Sequence, residues 1–382
     1  MKKSMSLYIH IPFCNSKCNY CNFLSFVCSS EEKLRYIESL KKEIKIQSKQ
    51  YSSIYSIRTI YIGGGTPSSL PTGAIKDILQ TIFKYFTVKN NAEITMEVNP
   101  NTVSEEKIGE YVLSGVNRFS IGLQSTNEEI LKSMGRTHTL QDYNQTIEFI
   151  KQNGISNINT DLIIGYPGQT EKDVLDSLKY LIKLNIPHIS CYMLSVEKGT
   201  KLKSLISKGI AVLPSEENVI KMYQIVVKNL TKAGYNRYEV SNFAKPGFSC
   251  KHNLVYWKRE DYLGFGTGAH SYVNGIRFSN TENLKTYNEC IETTGKAPVC
   301  EVKKLTEQDK KEEFIMLSLR TSEGLDSNEY QRLFNENIIA NKKEVITNLV
   351  KLGFLSIDKT GVIKATDNGF LVLNKIILEL CS

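Results

Sequence analysis

The sequence predicts an α/β chain in two units: a partial (β/α)6 barrel of the TIM type over residues 1–280 and a small winged-helix-like α+β domain over 281–382. Three observations carry that prediction. Six strand-like runs, rich in β-branched and aromatic residues, alternate with helical segments between Tyr8 and Leu194, the pattern that builds a parallel sheet with right-handed crossovers. Each run stops at a loop rich in Gly, Pro, Gln, Glu or Asp, which is where a barrel carries its site, at the carboxyl ends of the strands. Beyond about Asn280 the alternation ends and helices are followed by a hairpin.

The first run, 8–13, leads directly into a cysteine loop. From Glu31 to Tyr51, Leu34, Ile37, Leu40 and Ile44 recur at helical spacing and predict an amphipathic helix. A second strand, 58–62, is stopped by Gly63-Gly64-Gly65-Thr66-Pro67 and followed by a helix at 74–86. Further strands fall at 92–98, 117–122, 157–164 and 188–194, with helices at 105–113, 139–153 and 171–184. Toward the C-terminus 312–319, 327–334 and 342–352 read as helices, 354–357 and 362–365 as a hairpin turning at Asp358–Gly361, and a last helix begins near Gly369. Winged shapes often bind DNA, yet no helix here is dense in Arg or Lys. A lid or docking role is expected, and no nucleic-acid partner.

With 382 residues, 41% hydrophobic and 23% charged, the chain reads as soluble and globular, long enough for a large domain and a small one. No run approaches the roughly 18 apolar residues of a membrane helix. The start is basic, but its apolar run breaks at Pro12 and Cys14, so no secretory signal is expected and a cytoplasmic protein is. Nine cysteines, mostly isolated, do not resemble a disulfide framework. The net charge of +8 is spread over lysines interleaved with glutamates, a solvated surface.

Cys14, Cys18 and Cys21 stand in CxxxCxxC spacing directly after the first strand. Thiolates this close can hold one soft metal centre, and three of them on a cubane of four irons leave one iron open for a small-molecule ligand. Two other readings stay open, a redox thiol pair and a structural zinc, which wants four ligands and has only His10 nearby. Asn, Ser, Lys and Tyr between the cysteines argue against an apolar core face. Cys28, Cys191, Cys250, Cys290, Cys300 and Cys381 lack partner spacing and read as ordinary thiols.

The strand-end loops form a set. Gly63-Gly64-Gly65-Thr66 lets backbone N–H groups approach a carboxylate or phosphate, although a tight strand-to-helix turn explains it as well. No Gly-Lys-Ser/Thr follows and the GxGxxG spacing is missing, which excludes a P-loop and a dinucleotide fingerprint. Glu97, Gln124 and Asp161 each put a polar group at or within a strand suited to burial, and Arg136 adds a cation after Gln124. Together they would ring a pocket for amine, carboxylate and ribose hydroxyl groups. Among the histidines, His10 lies on the first strand, His138 and His188 look incidental, and His270 follows a glycine-rich turn. His252, in His252-Asn253-Leu254-Val255-Tyr256-Trp257, reads from the bare sequence as a hydrogen-bonded core residue.

The CxxxCxxC loop after the first strand, the GGGTP motif after the second and the Glu, Gln and Asp positions resemble the radical S-adenosylmethionine (SAM) proteins. More narrowly, Tyr8-Ile-His-Ile-Pro-Phe-Cys14, Tyr238-Glu-Val-Ser-Asn-Phe-Ala244, His252-Asn-Leu-Val-Tyr-Trp257 and Gly264-Phe-Gly-Thr-Gly-Ala-His270 resemble the family of oxygen-independent coproporphyrinogen III oxidase, over essentially the whole chain, and within it the heme-chaperone branch. The resemblance implies that Cys14, Cys18 and Cys21 hold a [4Fe-4S] cluster whose open iron chelates the methionine part of SAM. Tyr8, Gly64 and Glu97 match positions that contact this SAM; Tyr20, Gly65, Thr66, Gln124, Arg136 and Asp161 match contacts to a second SAM in the oxidase. The cluster would donate an electron to the sulfonium and release a 5'-deoxyadenosyl radical.

One departure sets the branch. The oxidase has a fourth cysteine two residues after the third, where this chain has Phe23, which resembles the heme chaperone and counts against porphyrinogen decarboxylation. The resemblance also turns His252 into a candidate heme ligand, with Tyr256 and Trp257 beside the macrocycle. It implies heme, recipient hemoproteins, an electron donor, and transient association with a membrane or a second copy as partners. The alternative activity is decarboxylation of coproporphyrinogen III.

Overall fold

The structure, a computed structural model, describes residues 2–382. Six parallel strands come first: β1 (Lys3–Ile11), β2 (Tyr55–Gly64), β3 (Thr87–Val98), β4 (Arg118–Gln124), β5 (Ile158–Ile164) and β6 (His188–Met193). They are joined through α1 (Ser30–Tyr51), α2 (Ala74–Tyr85), α3 (Glu105–Leu113), α4 (Glu128–Ser133), α5 (Leu140–Gln152) and α6 (Glu171–Lys183). Each strand pairs in parallel with the next in sequence. Strictly sequential order puts every right-handed crossover on the same face, so the sheet curls around its other face as a partial barrel.

Helix starts follow local chemistry. Ser29, Thr139 and Thr170 accept from backbone N–H groups, and Glu32, Asp142 and Asp173 reach back to the cap, making capping boxes for α1, α5 and α6. The apolar faces of these helices meet the outward side of the strands in one core that includes Ile9, Ile62, Met96, Ile121, Leu162 and Ile189. Burial of this kind contributes about 1.5–3 kcal/mol per large side chain.

The alternation continues less regularly after β6. Helices α7 (Lys201–Ser207) and α8 (Glu216–Lys232) lead to two short strands, β7 (Asn236–Arg237) and β8 (Asn242–Ala244), and β8 pairs antiparallel with β6. Helix α9 (Lys251–Trp257) carries the His252 motif. The chain then crosses to the other edge, where β9 (Tyr262–Phe265) pairs parallel with β1 and continues antiparallel through β10 (His270–Val273), β11 (Ile276–Asn280) and β12 (Val299–Lys304), giving a 12-stranded sheet.

The sequence places a division near residue 280. In the structure α10 (Leu284–Thr294) packs on α1 and sends Tyr287 and Ile291 into the main core, and β12 ends the large sheet, so residues 284–304 stay with the barrel. A separate core begins at Phe314 on α11 (Glu307–Ser318) and gathers Leu319, Tyr330, Leu349, Ile363 and Ile377. There the hairpin of Leu355–Ile357 and Val362–Ala365 is joined by Leu325–Asp326 into a three-stranded sheet. This unit docks on the barrel through Arg237, whose guanidinium bonds Asp367 at 2.7 Å and lies 3.8 Å from the centre of the Phe370 ring. Among the described residues no helix is long and apolar enough to cross a membrane.

Candidate functional site

Alternation along the strands divides two environments. Residues facing the helices are apolar, whereas their neighbours Thr59, Tyr61, Glu93, Glu97, Ser120, Asn159, Asp161 and His188 hydrogen-bond to one another or to the 238–256 segment inside the barrel. A polar lumen is costly unless every member finds a partner, and these do.

At the carboxyl ends of the strands the lumen opens into a cavity of about 590 Å³. Cys14, Cys18 and Cys21 line it, with Tyr20, Gly64, Gly65, Thr66, Glu97, Gln124, Arg136 and Asp161. Tyr8 and His252 do not. The cysteine loop is closed by Cys14 N–H to Phe26 O (3.0 Å) and Phe26 N–H to Pro12 O (2.7 Å), and Asn19 fastens it to α4 through the carbonyls of Ser133 and Met134. The glycine run lies against this loop: Gly65 N–H bonds Ile11 O at 2.8 Å and Thr66 N–H bonds Phe13 O at 2.7 Å. A Cβ at Gly65 would stand 2.7 Å from Phe13 O, and Gly64 has φ +120°, so side chains are excluded at both positions.

Around the cysteines, Thr66 Oγ1 is 3.5 Å from Cys14 Sγ and Arg136 Nη1 is 3.7 Å from Cys18 Sγ. Hydrogen-bond donors at this distance suit thiolate charge. Among the described residues no three His, Cys, Asp or Glu side chains converge on a point suited to a single ion. Three thiols on one loop lining the cavity, with donors beside two of them, would suit a [4Fe-4S] cluster, which takes each thiolate on a different iron.

Opposite the loop, Glu97 accepts from Tyr61 Oη at 2.8 Å and from Gly64 N–H at 3.1 Å. Burial pushes its carboxyl up to about 7, against those two bonds. Asp161 accepts from Asn159 Nδ2 at 2.7 Å and is likewise raised by burial. Arg136 donates to Gly122 O (2.6 Å) and Asn99 Oδ1 (2.8 Å). Gln124 sits at φ +71° beside a register shift in β4, a left-handed backbone that costs a non-glycine residue about 1–2 kcal/mol and turns the strand end toward the cavity. The cavity lining thus combines three carboxylates (Glu97, Asp161 and Glu197), the Arg136 guanidinium, the Lys17 ammonium and three thiols, a set suited to a ligand that carries both charges.

Two of the singled-out residues lie elsewhere. Tyr8 stands one layer behind Glu97: its hydroxyl is 2.9 Å from His10 Nδ1 and its ring centre 6.3 Å from that of Tyr61. His10 Nε2 lies 3.0 Å from Leu24 O, so it carries the proton, Nδ1 accepts from Tyr8, and the pair braces the cysteine loop. His252 is fully buried, with Nδ1 2.8 Å from Thr59 Oγ1 and Nε2 2.9 Å from Tyr256 Oη. In this arrangement both ring nitrogens are engaged, as in the core reading of the bare sequence.

Several residues were not legible as members of the site. Tyr192 and Asn99 line the cavity, and His138, 3.3 Å from Arg136 Nε, orients the guanidinium. The usable signal was parity: Tyr192 follows His188 and Ser190 on alternate positions of β6.

Buried titratable groups give a pH dependence. Burial lowers His10 and His138 to about 4, His252 to about 3 and His188 well below its usual range, and raises Glu43, Glu97 and Glu239 to about 7. Below pH 6.5 the unfolded chain binds more protons at the four histidines, so stability rises with pH; between the ordinary carboxylate range and pH 7 the native state holds more protons on the three glutamates, so stability falls. The expected denaturant stability of the cofactor-free protein peaks near pH 6.5 and declines toward pH 8 by about 1 kcal/mol, because the histidines' remaining gain above pH 6.5 offsets more than half of the glutamates' loss. A flat profile from pH 6.5 to 8 would contradict the carboxylate assignments.

Residues 8–181 match the radical SAM superfamily and residues 305–372 the HemN C-terminal domain. The heme chaperone HemW of Lactococcus lactis subsp. lactis (strain IL1403) is 36% identical over 376 residues, covering 98% of this chain and 97% of that protein. HemW of Bacillus subtilis (strain 168) is 34% identical, covering 97% of each. The coproporphyrinogen III oxidase HemN of Escherichia coli shares the fold, with a TM-score of 0.87 at 23% identity over 100% of this chain and 91% of that one. Fold, cysteine loop and cavity define a radical SAM protein, whose cofactors are a [4Fe-4S] cluster and SAM. Within that class the chain belongs to the HemW family.

Proposed function

We propose that this protein is a cytoplasmic heme chaperone, holding a [4Fe-4S] cluster on Cys14, Cys18 and Cys21, SAM in the cavity, and heme for delivery to recipient hemoproteins. The observation that carries the reading is similarity to heme chaperones along the whole chain, together with Phe23 at the position of the oxidase's fourth cysteine. When bound, the cluster supplies one-electron reduction of the SAM sulfonium, with the electron coming from an external donor. Glu97 receives the ammonium and Gly64 lets the backbone close on the methionine part, with Tyr8 bracing them from behind. Asp161, Gln124, Arg136, Tyr20, Gly65 and Thr66 hold the remaining polar groups.

His252 is the heme ligand of this reading, and it must exchange its bond to Tyr256 for the iron. Tyr256→Phe removes the competing hydroxyl and is expected to tighten heme binding about fivefold, the worth of one buried hydrogen bond. His252→Ala is expected to weaken the Soret change on heme addition. The test is anaerobic reconstitution followed by heme titration and a coproporphyrinogen assay on one preparation. Heme uptake without protoporphyrinogen formation is expected; turnover would replace this reading with the decarboxylase.

A further inference from the structure

We infer that Tyr238 and His188 are positioning residues of the SAM site, acting on Asp161 through a one-way hydrogen-bond chain that starts at the N-terminus of α9. The proposal rests on the reading of Asp161 as a contact to SAM. The chain runs through the lumen in four steps. Cys250 N–H is 3.3 Å from Tyr238 Oη, Tyr238 Oη 2.8 Å from His188 Nε2, His188 Nδ1 2.6 Å from Asn159 Oδ1, and Asn159 Nδ2 2.7 Å from Asp161 Oδ1.

The Asp161 end fixes the protons. Asn159 Nδ2 donates to Asp161 and faces Ser120 Oγ, while its Oδ1 accepts from Ser190 Oγ at 3.0 Å and faces His188 Nδ1. An amide oxygen only accepts, so Nδ1 carries the ring proton and, in a neutral imidazole, Nε2 is the acceptor. Tyr238 Oη therefore donates to Nε2 and accepts from Cys250 N–H. The carboxylate that faces the cavity is thereby held in one orientation. Burial keeps His188 neutral, as a ring that donates on one side and accepts on the other must be.

α9 is where the chain begins, and Glu93 fastens that end by accepting from Lys251 N–H at 3.1 Å and His252 N–H at 3.0 Å. Movement of the His252 helix therefore pulls on the same hydrogen bonds that orient Asp161. Read alone, His188 looks incidental and Tyr238 stands only within a family motif.

Tyr238→Phe cuts the chain with almost no change in volume. It is expected to weaken SAM binding to the cluster-loaded protein about fivefold, as loss of one ordered buried bond does, and to have no further effect in an Asp161→Asn background. Nitrogen NMR on histidine-labelled protein, with the His188 signals assigned from His188→Gln, is expected to show Nδ1 protonated and Nε2 bare. A merely structural Tyr238 would lose affinity equally on both backgrounds and leave the tautomer unconstrained; additive losses, or a proton on Nε2, would overturn the chain. Absence of SAM binding by the wild type would instead remove the cavity assignment, and the proposal with it.

Discussion

Cys18→Ser is expected to abolish cluster assembly: iron and acid-labile sulfide after anaerobic reconstitution should fall from about four of each per chain to background. Cys14→Ser and Cys21→Ser should do the same, because three thiolates leave no spare ligand, and the remaining cysteines lie outside the cavity lining. The fold should survive. The three thiols are half-buried on a loop held by its own backbone bonds, and none belongs to the main core, so the unfolding free energy of the cofactor-free protein should change by less than about 0.5 kcal/mol. SAM affinity should collapse with the iron, since the open coordination position goes with it. A triple variant that still takes up four irons would refute the ligand assignment; one that unfolds would make the loop a structural element instead.

Much of this architecture was readable from the residues, and the reasons are specific. The six strand–helix units show because one face of each strand and one stripe of each helix must be apolar: Ile60 and Ile62, or Ile37, Leu40 and Ile44, leave a period that survives without neighbours. The 236–304 extension has no such period. Its strands are two to six residues long, and β12, Val299–Lys304, is exposed at every position, so only pairing with β11 makes it a strand. For the same reason the sequence does not reveal that residues 284–304 join the large sheet and its core. Cysteine spacing and the glycine run located the cavity because backbone approach and metal ligation both demand particular residues. The lumen was harder, since Thr59, Glu93, Asn159 and His188 are each unremarkable alone and become a network only through cross-strand neighbours many residues away. His252 reads two ways for a physical reason: the imidazole that would ligate iron is also well satisfied between Thr59 and Tyr256.

Glu97→Gln should lower SAM affinity about 100-fold, by roughly 2.7 kcal/mol, while leaving iron content at four per chain. The carboxylate already accepts from Tyr61 and Gly64, and its remaining lone pairs are the anionic partner the cavity offers an ammonium at that end. An amide keeps the shape, removes the charge, and sets its NH2 against a donor. The pH profile provides a second, independent signature. Burial holds Glu97 at about 7, with Asp161 adding to the rise, so near neutrality the free protein carries a proton that the ligand's positive charge must displace. Wild-type affinity should therefore fall as pH drops from 8 to 6, approaching tenfold per unit, whereas Glu97→Gln should be nearly flat across that range. Equal affinities in the two proteins would place the ammonium elsewhere. Equal slopes with unequal affinities would mean that another group, Asp161 foremost, carries the proton, and the polar lumen would then be the electrostatic partner of SAM as a whole rather than through one carboxylate.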